Sequence, residues 1–243
     1  MGEYLNYLSF GNGGWAKPIL SGALLTIELA VATLPFGLVI GLLLASGMLS
    51  HKKWVQRFCI AYGTIFRALP ELLTIFIIFY GSQLAIKMAC DFIGWETPQI
   101  NGFIAGLIAL GVVFAAFSCE IFYTALRAIP QGQYEASYAL GLSARTSYFR
   151  VTLPQLWRTA LPGLGNVWLV LLKDTSLVSV IALSDLMRQT YIAVNSTKEP
   201  FFFYALACAV YLVFSSVSGL ILSFLGEPAE FGKNRTLRFS GHP

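Results

Sequence analysis

Five carboxylates stand in or beside long apolar stretches of this chain: Glu28, Glu71, Glu120, Asp174 and Asp185. Two cations, Arg67 and Lys173, share those stretches. An ionised side chain costs about 2.5–3.5 kcal/mol at the centre of a membrane helix on insertion scales, so each such residue is a site candidate. The chemistry open to them is electrostatic. Carboxylate oxygens suit a guanidinium or ammonium, and two of them match the planar guanidinium fork. Arg67 or Lys173 would in turn hold a carboxylate. Covalent catalysis lacks a convergent set. The two histidines, His51 and His242, fall in polar segments, and no GxxxxGK[ST] phosphate loop occurs.

Each residue also has a plainer reading. Glu28 is some ten residues into the first apolar run and is within reach of the interface. Glu71 is one turn from Arg67, a spacing that suits an internal ion pair. Pro70 between them removes a backbone N–H and bends a helix, and freed carbonyls there suit a cavity at mid-membrane. Glu120 pairs with Arg127 or a partner chain in its plainer reading. Lys173 and Asp174 are adjacent, so on a helix they point about 100° apart and do not cancel. Lys173-Asp174-Thr175-Ser176 falls about a dozen residues into the fourth apolar run, near the bilayer middle, which predicts a broken helix. Asp174 and Thr175 are expected to line a path or a dimer seam. Asp185 suits a helix start, with Ser184 as the N-cap.

These residues need a membrane scaffold. Of the 243 residues 56% are hydrophobic and 12% charged, against about 25% charged in soluble domains. The four cysteines form no CxxC. Net charge is +4, but the cations lie in short loops, which argues against a nucleic-acid partner and for membrane orientation. Five spans are expected, at about 19–48, 58–86, 101–126, from 161, and 201–225. Residues 1–18 lack the order of a cleaved signal peptide. They are expected to be a periplasmic segment, 19–225 a single transmembrane domain with a loop at 128–160, and 226–243 a cytoplasmic tail. Ten of the 16 Lys/Arg lie on one side: Lys52, Lys53, Arg57, Arg127, Arg145, Arg150, Arg158, Lys233, Arg235 and Arg238. Lys17, Lys87, Arg188 and Lys198 lie on the other. The positive-inside bias therefore puts the N-terminus outside and the 128–160 loop in the cytoplasm. Trp54, Trp95 and Trp157 fall at interfaces, and Gly37 with Gly41 has the spacing of close helix packing.

That loop is a polar, helix-prone hairpin, EASYALGLSARTSYFRVTLP from Glu135 to Pro154. Ala136, Ala139 and Leu140 favour helix, Gly141 suits a left-handed C-terminus, and Ser143 suits an N-cap. Pro154 is expected to end the second arm. Glu135, Arg145 and Arg150 give it charge for a partner. The hairpin resembles the "EAA" loop of bacterial ABC importer permeases, with Ser137 in place of the second Ala and Val151 where Ile is common. The GALLTIELAVA entry, FRALPELLTIFIIFYG, FSCEIFYTALRAIPQGQYEA and LLKDTSL resemble the polar amino-acid uptake group over nearly the whole chain. Pro70-Glu71 is similar to the histidine/arginine/ornithine and the octopine/nopaline permeases.

The resemblance implies an all-α integral membrane fold, a five-helix importer permease bundle with a cytoplasmic coupling hairpin. It implies that Glu135, Ala136, Gly141, Arg145, Leu153 and Pro154 dock on a separate ABC ATPase dimer that binds ATP and Mg, with no cofactor in this chain. A second homologous permease chain, in a heterodimer rather than a homodimer, would complete the path, and a periplasmic binding protein would deliver cargo. The expected location is the bacterial inner membrane, with the C-terminus cytoplasmic. The path is assigned to Glu71, Arg67, Glu120, Asp174, Lys173 and Thr175, for a basic amino acid or arginine-derived opine. The alternative is an ion-coupled secondary transporter of a polar solute, although five spans without a repeat are unusual for one.

Overall fold

A computed structural model describes residues 7–11, 14–95, 101–181 and 183–225. The tail, most of the leading segment and the 96–100 loop lie outside the described residues. Regular structure among the described residues is entirely helical. In chain order come α1 (Ala16–Met48), α2 (Lys53–Ala68), α3 (Glu71–Ile93), α4 (Gly102–Ala128), α5 (Gln131–Ala139) and α6 (Ala144–Ser147). A π-helical turn (Tyr148–Thr152), α7 (Leu153–Asp174), a 3-10 segment (Thr175–Ile181), α8 (Leu186–Thr197) and α9 (Pro200–Leu225) complete the order. Five segments are long and apolar enough to cross a bilayer: Ala16–Met48, Glu71–Ile93, Gly102–Ala128, Ala144–Ile181 and Pro200–Phe224.

The expected count of five holds, but two boundaries move. The second span begins at Glu71, not near residue 58, because Pro70 has no N–H to continue the ladder and holds Leu69 extended. What precedes it is a separate amphipathic helix, α2. The helix that carries the fourth span begins far before Leu161. α6, the π turn, α7 and the 3-10 segment run on from Ala144 to Ile181 without a loop. Pro154 therefore sits in the first turn of α7 and does not end the hairpin's second arm. The preceding π turn spares the bond that its missing N–H would have made.

The core lies between α1 and α4, which pack along each other. A Cβ on Gly41 would sit 2.8 Å from Ser118 Cβ and 3.1 Å from the Ala115 carbonyl, and one on Gly37 would strike the Phe114 ring. The glycines let the backbones approach, as their spacing suggested. Buried hydroxyls close on their own helices: Thr26 donates to the Gly22 carbonyl at 2.9 Å, Thr33 to Leu29 at 2.7 Å and Ser118 to Phe114 at 2.7 Å. These three donors are thereby satisfied within their own helices. Near the hairpin, Met48, Cys119, Phe122, Leu156 and Ala160 form one apolar cluster that ties α1, α4 and α7 together.

α8 is a short helix packed against α1. Asp185, not Ser184, caps it: Oδ1 accepts from Arg188 N at 3.0 Å and Oδ2 from Met187 N at 3.3 Å. A carboxylate offers two acceptors to the free N–H groups where a serine offers one oxygen.

Candidate functional site

Two breaks in the helices meet at one cleft. Glu71 is the first residue of α3, directly after Pro70, and Asp174 is the last residue of α7, where the winding tightens to 3-10. Both side chains line that cleft, close enough for their charges to interact. The walls around them are apolar and include Ile75, Leu110, Phe114, Phe117 and Val170. Two carboxylates this close repel unless a proton or a cation sits between them, and an apolar wall strengthens that demand. The arrangement is built to hold positive charge.

Arg67 does not pair with Glu71. Its guanidinium reaches Glu120 on α4 at 3.0 Å, while its Nε donates to the Gly63 carbonyl at 2.9 Å. Pro70 explains the change of partner. By ending α2 it places Glu71 on a new axis, and the one-turn spacing no longer brings the two side chains together. Glu120 likewise takes Arg67 rather than Arg127, whose guanidinium stacks over Tyr123. The pair is partly exposed and keeps both signs accessible.

The remaining expected path residues separate. Lys173 lines another crevice, with Ser176, Cys208, Tyr211 and Ser215. Thr175 is fully buried and donates to the Leu172 carbonyl at 2.7 Å. Glu28 is exposed on α1, away from the cleft. Asp185 is fully buried, and burial pushes its carboxyl up to about 6, opposed by the backbone N–H groups of Arg188 and Met187. A contact between α8 and α1 was not foreseen. Leu186 N donates to Thr26 Oγ1 at 3.1 Å and ties α8 to α1. Its one sequence signal is Thr26, a hydroxyl within the first apolar run.

The hairpin is stiff for visible reasons. Gly141 adopts φ +73°, which a residue with a Cβ resists. Its N–H reaches the Tyr138 carbonyl at 2.9 Å, and Leu142 N reaches Ser137 at 3.1 Å, so the end of α5 is closed. Ser143 caps α6 by accepting from Thr146 N at 3.3 Å. The arms are pinned by Ser137 Oγ and Ser147 Oγ, 2.6 Å apart and buried. Glu135, Ala136 and Arg145 face outward with Pro154, whereas Leu153 is half-buried. The sequence reading missed the apolar tip: Leu140 is 80% exposed, Tyr138 56% and Phe149 55%. Three large apolar side chains on a polar hairpin need a partner surface.

Comparison with known proteins agrees with this geometry. The chain is 38% identical to the histidine/lysine/arginine/ornithine transport system permease protein HisQ of Escherichia coli (strain K12), over 91% of this chain and 97% of that one. It is 42% identical to the arginine ABC transporter permease protein ArtQ of the same strain, over 84% and 92%. The nopaline transport system permease protein NocQ of Agrobacterium fabrum is 37% identical, over 88% and 92%. Among solved structures, a crystal structure of an amino acid ABC transporter with histidines matches with TM-score 0.73 and 29% identity, over 87% of this chain and 94% of that one. An inward-facing MetNI methionine ABC transporter, at TM-score 0.67 and 18% identity, shares the fold. These likenesses favour the importer permease over the ion-coupled alternative. The family model for the binding-protein-dependent transport system inner membrane component matches residues 37–227, and the chain belongs to that family.

Proposed function

We propose that this chain forms one half of an import path for a cationic amino acid or an arginine-derived opine, with Glu71 and Asp174 as the seat for the positive side chain. The observation that carries this reading is the facing pair of carboxyls at two helix breaks in an apolar cleft. The Arg67–Glu120 pair nearby offers both signs to the zwitterionic end of such a cargo. The relatives named for histidine, arginine and nopaline transport support this choice.

Five spans enclose little space, so a second related permease chain completes the path, and a heterodimer is the form we favour. A binding protein delivers cargo at the outer face, and a separate ATPase dimer docks on the hairpin from the cytoplasm. The loop-charge bias supports this orientation. A continuous helical run supports this linkage. From Arg145 to Asp174 the chain is one helical rod about 44 Å long at about 1.5 Å per residue, so hairpin movement is carried to the carboxyl pair. ATP and the binding protein shift the inward and outward populations only through their different affinities for the two states.

Uptake in proteoliposomes tests the reading. Glu71→Gln and Asp174→Asn should each slow uptake of labelled arginine by roughly 10- to 100-fold, the worth of one charge-assisted hydrogen bond. Copurification of the ATPase should not change. Unaltered rate and unaltered selectivity in both variants would remove the pair from the path.

A further inference from the structure

α2 carries three distinct faces. Gln56, Cys59, Gly63 and Phe66 turn inward: Cys59 is buried against Gly47 of α1, and the Gln56 amide donates to the Met48 carbonyl at 3.2 Å. Tyr62 anchors the helix on α4 by donating to the Val112 carbonyl at 2.9 Å. A second stripe, Trp54, Phe58, Ala61 and Ile65, repeats at helical spacing and points outward. Trp54 is 90% exposed and Phe58 67%. Lys53 and Arg57 line the third face, with Lys52 just before the helix.

The charge on this element is one-sided. Between Leu49 and Pro70 there are four Lys/Arg, namely Lys52, Lys53, Arg57 and Arg67, and no acidic residue. Among the described residues only Arg67 of these has an ion-pair partner. Three cations thus flank an exposed aromatic stripe where α1 ends, beside the hairpin end of α4. A helix with a basic face and a separate Trp/Phe/Ile face fits the headgroup–acyl boundary rather than bulk water or the bilayer centre. Its charge is complementary to one class of lipid.

We propose that the Trp54–Phe58–Ile65 face of α2 lies in the leaflet at the hairpin end, and that Lys52, Lys53 and Arg57 bind the phosphates of anionic phospholipid there. The bound lipid fills the space that Trp54 and Phe58 leave open and neutralises the cations. It thereby fixes the tilt of the helix that ends at Pro70, directly before Glu71. Position in a membrane is all this requires; neither ATP nor cargo enters the test.

The test uses the full chain, isolated from vesicles of phosphatidylethanolamine and phosphatidylglycerol, with retained lipid measured by native mass spectrometry. Arg57→Gln should lower the preference for phosphatidylglycerol by about fivefold, and Lys52→Gln/Lys53→Gln/Arg57→Gln by about a hundredfold. Lys17→Gln/Lys198→Gln, on the opposite side, should leave the preference unchanged, and the charge-preserving Lys52→Arg/Lys53→Arg/Arg57→Lys should retain it. The single Arg57→Gln result stands even if the triple variant inserts poorly. An unaltered preference in Arg57→Gln would overturn the proposal. So would a Trp54→Cys variant that crosslinks efficiently to a second permease chain, because the stripe would then be a subunit seam.

Discussion

Ser137 Oγ and Ser147 Oγ lie 2.6 Å apart and buried, joining the two arms of the hairpin across Gly141. A serine where this loop type commonly has alanine is therefore a clasp. Ser137→Ala leaves Ser147 without this partner and should destabilise the hairpin by about 1 kcal/mol. Hydrogen exchange at Leu142, whose amide bonds to the Ser137 carbonyl at 3.1 Å, should quicken about fivefold. Unchanged protection there would mean that the hydroxyl pair holds nothing.

Gly141 should tolerate no side chain. At φ +73° an alanine is strained by about 1–2 kcal/mol, and the strain falls on the turn that orients Leu140. Gly141→Ala should weaken association with the ATPase several-fold and leave the thermal stability of the membrane bundle unchanged. Parallel ATPase pull-down and melting measurements separate the two effects.

Gly41→Leu strikes at the fold itself. Its Cβ alone would meet Ser118 at 2.8 Å and backbone at 3.1 Å, so α1 and α4 must part. The expected cost is about 1–3 kcal/mol. A thermal melt in detergent should show a lowered midpoint with the hairpin sequence intact.

Asp185 gives the α8 end of the bundle a pH dependence. Its carboxyl is pushed up to about 6 by burial, from an ordinary value of 3.8. Between those values the folded chain holds a proton that the unfolded chain has lost. Stability from this group is therefore full below about 4 and is lost as pH rises through about 6. The shift corresponds to roughly 2–3 kcal/mol. Asp185→Asn keeps an acceptor for the α8 N–H groups and removes the titration. Melting midpoints between pH 4.5 and 7 should fall in the wild type by more than in the variant; parallel curves would contradict this assignment.

Much of the bundle was legible because membrane spans obey one constraint, a long apolar run with internally satisfied backbone. The break after Lys173-Asp174, the left-handed Gly141 and the Ser143 cap were also readable, since each depends on local backbone chemistry. Failures arose where local rules met tertiary context. Pro154 looked like a terminator, yet a π turn just before it lets the helix run through. Arg67 and Glu71 looked like a pair by spacing, yet Pro70 divides their helices and Glu120 takes the guanidinium. Hydropathy alone merged α2 with α3, although the basic, aromatic pattern of 53–68 differs from the uniform run of 71–93. That Glu71 faces Asp174 is a contact 103 positions apart in sequence, and no spacing argument reaches it.

The most direct measurement asks whether the hairpin engages a motor. In a background with the four native cysteines replaced, Leu140→Cys places a reactive thiol at the most exposed apolar point of the tip. In native membranes a short bifunctional reagent should join it to a nucleotide-binding subunit, and a membrane-impermeant maleimide added to intact cells should fail to reach it. Labelling from outside, or no adduct with any ATPase, would contradict the account.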